Sequence, residues 1–326
     1  MASMTSQPIA TRSTAPRDPG ALLSATRVKL GEFEYEIGPL GHLAAERQRL
    51  ESLTWRAFDA TPLAATIGAE ITGVQLGADL PDVTIAELRQ ALLDYKVLCF
   101  RSQSITAAQH VAFARRFGDL EIHPFIPANG EFPELVRFAK SADVGGYENG
   151  WHSDVSWRAV PSMAAVLHAI AVPPTGGDTL FADMYAAYDG LDADLEARID
   201  GLVAVHDHVS SFGHQVAPEQ REEIRAKFPP VEHPVVRTHP ETGRKLIYVN
   251  RFFTSHVVGL APAESRALIE ELSRQADIIE YQCRIRWTPD TVVMWDNRAV
   301  QHYACSDYWP SVRVMERASI VGDAPR

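Results

Sequence analysis

The run Trp151-His152-Ser153-Asp154, taken with Thr291-Val292-Val293-Met294-Trp295-Asp296-Asn297 and the following His302, decides how this chain is read. In an extended segment residues i and i+2 point the same way, so His152 and Asp154 can address one point from a short strand. His302 follows an apolar run that closes on the turn-prone pair Asp296-Asn297, at the mouth of a buried strand. Two imidazoles and one carboxylate are the set that grips a ferrous ion on one face and leaves the other face open. An H-x-D pair alone says little in a chain with 12 histidines, and His206-Asp207-His208 is a decoy of similar composition. The segment Ser311-Val312-Arg313-Val314-Met315-Glu316-Arg317-Ala318 adds weight. As a strand it puts Arg313, Met315 and Arg317 on one face. An arginine behind a metal pocket is a rigid fork for a carboxylate or sulfonate. Two surface arginines on an edge strand are the bland alternative.

Four stretches carry a resemblance: His152-x-Asp154, Gly176-Gly177-Asp178-Thr179, His233 to Asn250 (HPVVRTHPETGRKLIYVN), and Trp295-Asp296-Asn297 through His302 to Arg317. In order and spacing they resemble the taurine dioxygenase/TfdA family of Fe(II)- and 2-oxoglutarate-dependent dioxygenases, from about Phe58 to near the C-terminus. The resemblance implies that His152, Asp154 and His302 ligate iron, with 2-oxoglutarate and O2 as cosubstrates. It implies that Thr179 and Arg313 take the distal carboxylate of 2-oxoglutarate. Arg317, with His123 of Glu121-Ile122-His123-Pro124, resembles the pair that grips a substrate's anionic group, and the Val155 backbone and Asn149 are further substrate contacts. The implied reaction hydroxylates a small anionic substrate (sulfonate, sulfate or carboxylate), with succinate and CO2 as co-products. Halogenases of this type lack the carboxylate that Asp154 provides, so hydroxylation is the expectation. Taurine-specific members carry a tyrosine where this chain has Ile126, which detaches taurine itself from the expectation. Two other readings stay open. One is a metal enzyme that uses no oxo acid, against which Thr179 and Arg313 count; the other is a non-catalytic cupin-like binding protein.

Composition bounds the rest. With 326 residues, 46% of them hydrophobic, the chain can build one large core without disulfide or metal staples. Three sparse cysteines, Cys99, Cys283 and Cys305, point to a reducing cytoplasm; Cys305, near the site, is read as an inert thiol. A net charge of −11 without a basic run argues against nucleic acid. No apolar stretch is long enough for a membrane span. The expected partners are a small anionic substrate and further copies of the chain, as a dimer or tetramer.

Three regions are expected: a disordered leader over 1–28, an N-terminal extension over 29–56, and a dioxygenase domain over 57–326. The leader is rich in Ser, Thr, Ala and Pro and has no apolar signal core. Leu43 to Leu53 reads as a short amphipathic helix. Gly-spaced Ile67 to Val74 reads as short bent strands, and Thr84-x-x-Glu87 as a capping box for a helix to Tyr95. Lys96 to Phe100 reads as a buried strand, and Thr106 caps a second helix ended by Gly118. Met163 to Ile170 is a central strand, while Met184 to Ile199, Pro218 to Lys227 and Pro262 to Ala276 read as helices. The pattern is mainly β with flanking helices, around a double-stranded β-helix (jelly-roll, cupin-like) core. Trp151 and Trp157 are candidate pocket walls, one of Phe252 and Phe253 a candidate contact, and Ser141 to Gly150 a candidate lid. His233, His239 and His256 are read as structural.

Overall fold

The strand Val292–Asp296 is buried along its whole length, as a strand with paired edges and two covered faces must be. It pairs antiparallel with Val97–Phe100 on one side and Ala164–Ala171 on the other. This computed structural model describes residues 40–145 and 149–326 in full and residues 26–30 and 33–37 as backbone. The three strands form the middle of a seven-stranded sheet. Its order is Asp59–Pro62, Ala69–Thr72, Val97–Phe100, Val292–Asp296, Ala164–Ala171, Arg313–Ile320 and Leu135–Lys140. All pairs are antiparallel except Ala69–Thr72 with Val97–Phe100.

Period-two alternation sorts the side chains of this sheet. Leu98, Phe100, Val166, Met294 and Ala318 join Leu88, Leu92 and Val111 of the helices Asp82–Tyr95 and Ala107–Arg115 in one apolar core. Leu167, Trp295, Met315 and Arg317 point the other way, into a cavity. Across that cavity stands a three-stranded sheet, Gln282–Ile285, Thr179–Asp183 and Val300–Ala304. Its Phe181 ring meets Trp295 at 5.5 Å. The expected β-rich architecture with helices on the outside is present.

The chain divides into two units, Met1–His42 and Leu43–Arg326. In the first, Thr26–Leu30 and Phe33–Ile37 form an antiparallel hairpin. Most of the leader expected over 1–28 lies outside the described residues, and its last three residues open this hairpin. In the second, the extension's helix, Leu43–Glu51, is fastened to the body. The fully buried Lys96 ammonium donates to Thr66 O at 2.7 Å and pairs with Glu46 at 3.1 Å and Asp183 at 3.2 Å. A buried ammonium needs such partners on every side.

Three helix boundaries differ from the expectation. Thr84 is no cap: the helix begins at Asp82 behind Pro81, and Glu87 instead accepts the backbone N–H groups of Arg56 and Ala57 at 3.0 Å each. Met184 to Ile199 is two helices, Met184–Asp189 and Ala193–Ile199, parted at Gly190 and restarted by the Asp192 carboxylate on Leu195 N–H. Pro262–Ser273 passes into a 3-10 turn, Arg274–Asp277. Thr106 does form its capping box with Gln109, and Pro218–Lys227 is helical as read.

Candidate active site

His152 and His302 face each other across one antiparallel bridge. His152 N–H donates to His302 O at 3.1 Å, and His302 N–H to His152 O at 2.8 Å. Reciprocal pairing of this kind sets two side chains on one face at close range, and the ring centroids are 4.2 Å apart. The extended piece is short: from Asp154 the chain turns, with Val155 in the left-handed region at φ 47°. Asp154, two residues on from His152, brings its carboxylate to both rings. His302 likewise lies within Val300–Ala304 rather than at the mouth of Val292–Asp296, because the chain reverses between the two strands. Asp154 Oδ1 stands 3.8 Å from His152 Nε2 and 3.9 Å from His302 Nε2. Among the described residues this is the one cluster with metal-ligand geometry, its donor atoms all within 4.8 Å of one another.

The donor set suits a divalent transition metal. His152 Nδ1 donates to Gly150 O at 2.7 Å, so Nε2 keeps its lone pair for an ion. Burial drives His302 down to about 3, which keeps it neutral. Burial opposes ionisation of Asp154, yet Arg317, with Nη1 at 2.7 Å from Oδ2, holds the carboxyl at about 2. Two imidazole nitrogens and one carboxylate oxygen on one side fit Fe(II). Asn297 holds the turn itself. Its Oδ1 accepts Asp154 N–H at 2.7 Å, while Nδ2 donates to Asp154 O at 3.0 Å and Ser162 O at 2.9 Å. Ser153 Oγ donates to Val300 O at 2.9 Å. Linear order marks Asn297 only as a turn residue, since its partners are remote in sequence.

A cavity of about 400 Å³ opens over the cluster. Thr179 and Arg313 line it from the two sheets. Thr179 Oγ1 accepts Trp287 Nε1–H at 3.0 Å, and the Arg313 guanidinium lies 5.7 Å from the Tyr308 ring. Gly177, at φ 71°, makes room: a Cβ there would stand 3.1 Å from Tyr308 and 3.2 Å from Arg313. Arg317 also lines the cavity, and its buried Nε–H has no hydrogen-bond partner. His123 Nδ1 accepts the N–H groups of Phe125 and Ile126 at 3.2 and 3.0 Å, so its proton sits on Nε2. Burial, with Arg317 nearby, pushes His123 down to about 3, leaving it a neutral donor. Val155 lines the cavity; Asn149 is exposed and does not. Lys140, which the sequence reading passed over, lines it as well.

Aromatic rings share the rest of the lining with Ile126, Leu167, Gln215, Val216, Ile224 and Met315. Ring contacts run from Phe228 to Trp157 (5.2 Å), to His208 (4.9 Å), to Phe212 (5.1 Å), to Phe252 (5.2 Å) and to the ligand-set ring of His152 (5.1 Å). Asn250 Oδ1 fixes Phe252 and Phe253 by accepting both of their N–H groups, at 3.1 and 2.8 Å. Trp157 is the wall residue of the two tryptophans; Trp151 packs on Tyr303 outside the lining. The decoy dissolves. His206 is buried on Ser156 Oγ at 3.0 Å, Asp207 caps the helix His208–Phe212, and only His208 reaches the cavity. His233 and His239 bind Arg158 O and Asp296, and Cys305 lies outside the lining.

Residues 59–319 match the family described as taurine catabolism dioxygenase TauD, TfdA family. The chain is 39% identical over 284 residues to (S)-phenoxypropionate/alpha-ketoglutarate-dioxygenase of Sphingobium herbicidovorans, covering 82% of this chain and 96% of that one. It is 35% identical to an alkylsulfatase of Acinetobacter baylyi, covering 80% and 84%. Among solved structures, AAD-2 in complex with Mn(II) and N-oxalylglycine superposes with a TM-score of 0.72 at 32% identity, covering 83% of this chain and 99% of that one.

Proposed function

This chain belongs to the TauD/TfdA family of 2-oxoglutarate-dependent dioxygenases, and on that premise we propose the part each residue of its site plays. His152, Asp154 and His302 hold Fe(II). Thr179 and Arg313 receive the distal carboxylate of 2-oxoglutarate, a fork and a hydroxyl fixed by Trp287 and the Gly177 turn. Arg317 and His123 receive the anionic group of an organic carboxylate, sulfonate or sulfate, as the substrates in the relatives' names are anions. The unpartnered Nε–H of Arg317 and the Nε2–H of His123 are donors awaiting an acceptor. The Val155 backbone borders the same compartment, whereas Asn149 reaches substrate only by a movement of its exposed segment. We read the two facing sheets as a double-stranded β-helix of the jelly-roll, cupin-like kind. Three cysteines outside any disulfide are in keeping with a reducing cytoplasm, no helix of the described residues is long and apolar enough to cross a membrane, and a homo-oligomer, dimer or tetramer, is our expectation.

Fe(II) with 2-oxoglutarate supplies the oxidising chemistry: the oxo acid becomes succinate and CO2, and one oxygen atom of O2 enters a substrate C–H bond. The protein's share is placement. The His152–His302 bridge and Asn297 fix the ligand frame, the arginines fix both anions, and the aromatic wall excludes water. The observation that carries the reading is the ligand cluster with Arg313 and Arg317 on the inner face of one adjacent strand. The test is anaerobic titration of apoprotein with Fe(II) and 2-oxoglutarate. A visible charge-transfer band of the chelated oxo acid supports the assignment; iron binding without the band refutes the roles of Arg313 and Thr179.

A further inference from the structure

We infer that Glu121 and Arg158, neither of which lines the cavity, are positioning residues for the substrate: their ion pair seats His123 beside Arg317. The inference rests on the reading of His123 and Arg317 as receivers of an organic anion.

His123 is fixed within its own loop, but that alone does not fix it to the body of the protein. Its Nδ1 accepts the N–H groups of Phe125 and Ile126, so the ring travels with the loop. Before it, Glu121 N–H donates to Ser319 O at 2.9 Å; after it, Pro127 O accepts Arg137 N–H at 3.1 Å. Among the described residues, no backbone hydrogen bond joins residues 122–126 to another element. Ile122 is 64% exposed and Phe125 39% exposed. Side chains must therefore place the His123 Nε2–H. One anchor is apolar, the Phe125 ring against Trp157 at 5.7 Å and His208 at 4.6 Å. The other is the Glu121 carboxylate.

Glu121 Oε2 accepts Arg158 Nη1–H at 2.9 Å, and the two side chains are only 7% and 19% exposed. Arg158 is itself locked to the turn that follows Asp154. Its N–H donates to Val155 O at 2.9 Å, and its carbonyl accepts His233 Nε2–H at 2.9 Å. Its guanidinium lies 5.3 Å from the Trp157 ring. The pair thus ties the His123 loop to the segment that carries Asp154, whose Oδ2 accepts from Arg317 at 2.7 Å. The Glu121 backbone is bonded to the strand Arg313–Ile320 two residues beyond Arg317. One frame of few residues therefore sets the separation of the two anion donors, and a small error in such placement is costly.

The test uses whole protein with Fe(II) and 2-oxoglutarate under anaerobic conditions. The probes are hexanoate, hexanesulfonate and hexyl sulfate, one tail on three anions. The reading is the probe concentration that half-shifts the visible band. Glu121→Gln weakens the pair, and Glu121→Gln/Arg158→Met severs it without stranding a buried carboxylate. The double variant is expected to bind the favoured probe roughly tenfold more weakly, the worth of one hydrogen bond to a charged group. Glu121→Gln should fall in between. The 2-oxoglutarate and Fe(II) midpoints, measured without probe, should stay at parent values. In a His123→Ala background, severing the pair should cost nothing more. Unchanged probe binding in the double variant, the same loss with His123 absent, or an equal loss of 2-oxoglutarate affinity overturns the inference. A parent protein that shows no band, or whose band none of the probes moves, instead sinks the reading of the site beneath it.

Discussion

Asn297→Ala should cost this protein both stability and iron, and the two losses should be separable. The side chain makes three buried hydrogen bonds, two to the main chain of Asp154 and one to Ser162 O. At about 1 kcal/mol net for each bond, the truncation removes roughly 3 kcal/mol of stability. For a chain of this size that lowers Tm by roughly 4 °C. The second loss is local. With its main chain released, Asp154 no longer presents Oδ1 to the imidazoles, and displacement of a supporting group typically weakens a metal site 10- to 100-fold, so about that loss in Fe(II) affinity is expected. Ser153→Ala deletes a single bond in the same turn and provides the scale, at about 1 kcal/mol. Thermal melts of apoprotein give the first quantity and anaerobic Fe(II) titration the second. An Asn297→Ala protein that melts lower but binds Fe(II) as tightly as the parent would refute the argument that the turn orients the ligand.

Asp154→Ala should abolish substrate-coupled succinate formation while leaving the fold intact by circular dichroism; retained activity would remove Asp154 from the site. Arg313→Gln should raise the KM for 2-oxoglutarate at least tenfold, whereas Arg317→Gln should raise the KM for the organic anion instead. Equal damage to both constants in either variant would undo the division of roles. Burial opposes ionisation of Glu46, but Arg49, Lys96 and Arg244 hold it down to about 2. Its folded value is therefore depressed, so its contribution is complete above pH about 4.5 and is lost as pH falls toward 2. Glu46→Gln should flatten that part of the Tm–pH curve, and an unchanged slope would discount the pairing with Lys96. Thr106→Ala, which removes a working cap, should cost about 1 kcal/mol in chemical denaturation.

What could be read from the sequence was what depends on residue type and short spacing. Arg313, Met315 and Arg317 alternate on a strand and do share the cavity face. Lys96 to Phe100 and Val292 to Trp295 are apolar enough to demand burial, and they are neighbours in the sheet. His152-x-Asp154 was legible as chemistry and as spacing, since the two side chains do converge, but the turn that ends the extended piece at a left-handed Val155 was not. Thr84-x-x-Glu87 has the letters of a capping box, but Glu87 is committed to a segment thirty residues upstream. Of the aromatic lining, Trp157 and the Phe252-Phe253 pair were legible beside the motifs, whereas Phe125 and Phe212 come from separate segments that nothing in the sequence ties to the site. Asn297 and Lys140 escaped for the same reason: each acts through partners or neighbours that only the assembled sheets supply.

The His152–His302 bridge also sets a timetable for assembly. It joins positions about 150 residues apart, and closing a loop of that length costs roughly 4 kcal/mol of chain entropy. No local segment can offset that cost; the strands Ala164–Ala171, Thr179–Asp183, Val292–Asp296 and Val300–Ala304 must first be paired. The two imidazoles therefore meet late, when both sheets already exist, and they part early when either sheet opens. Iron-binding competence is in this sense a clock for the whole body of the protein: during refolding it should trail the recovery of sheet structure, and under mild denaturation it should fade before that structure does.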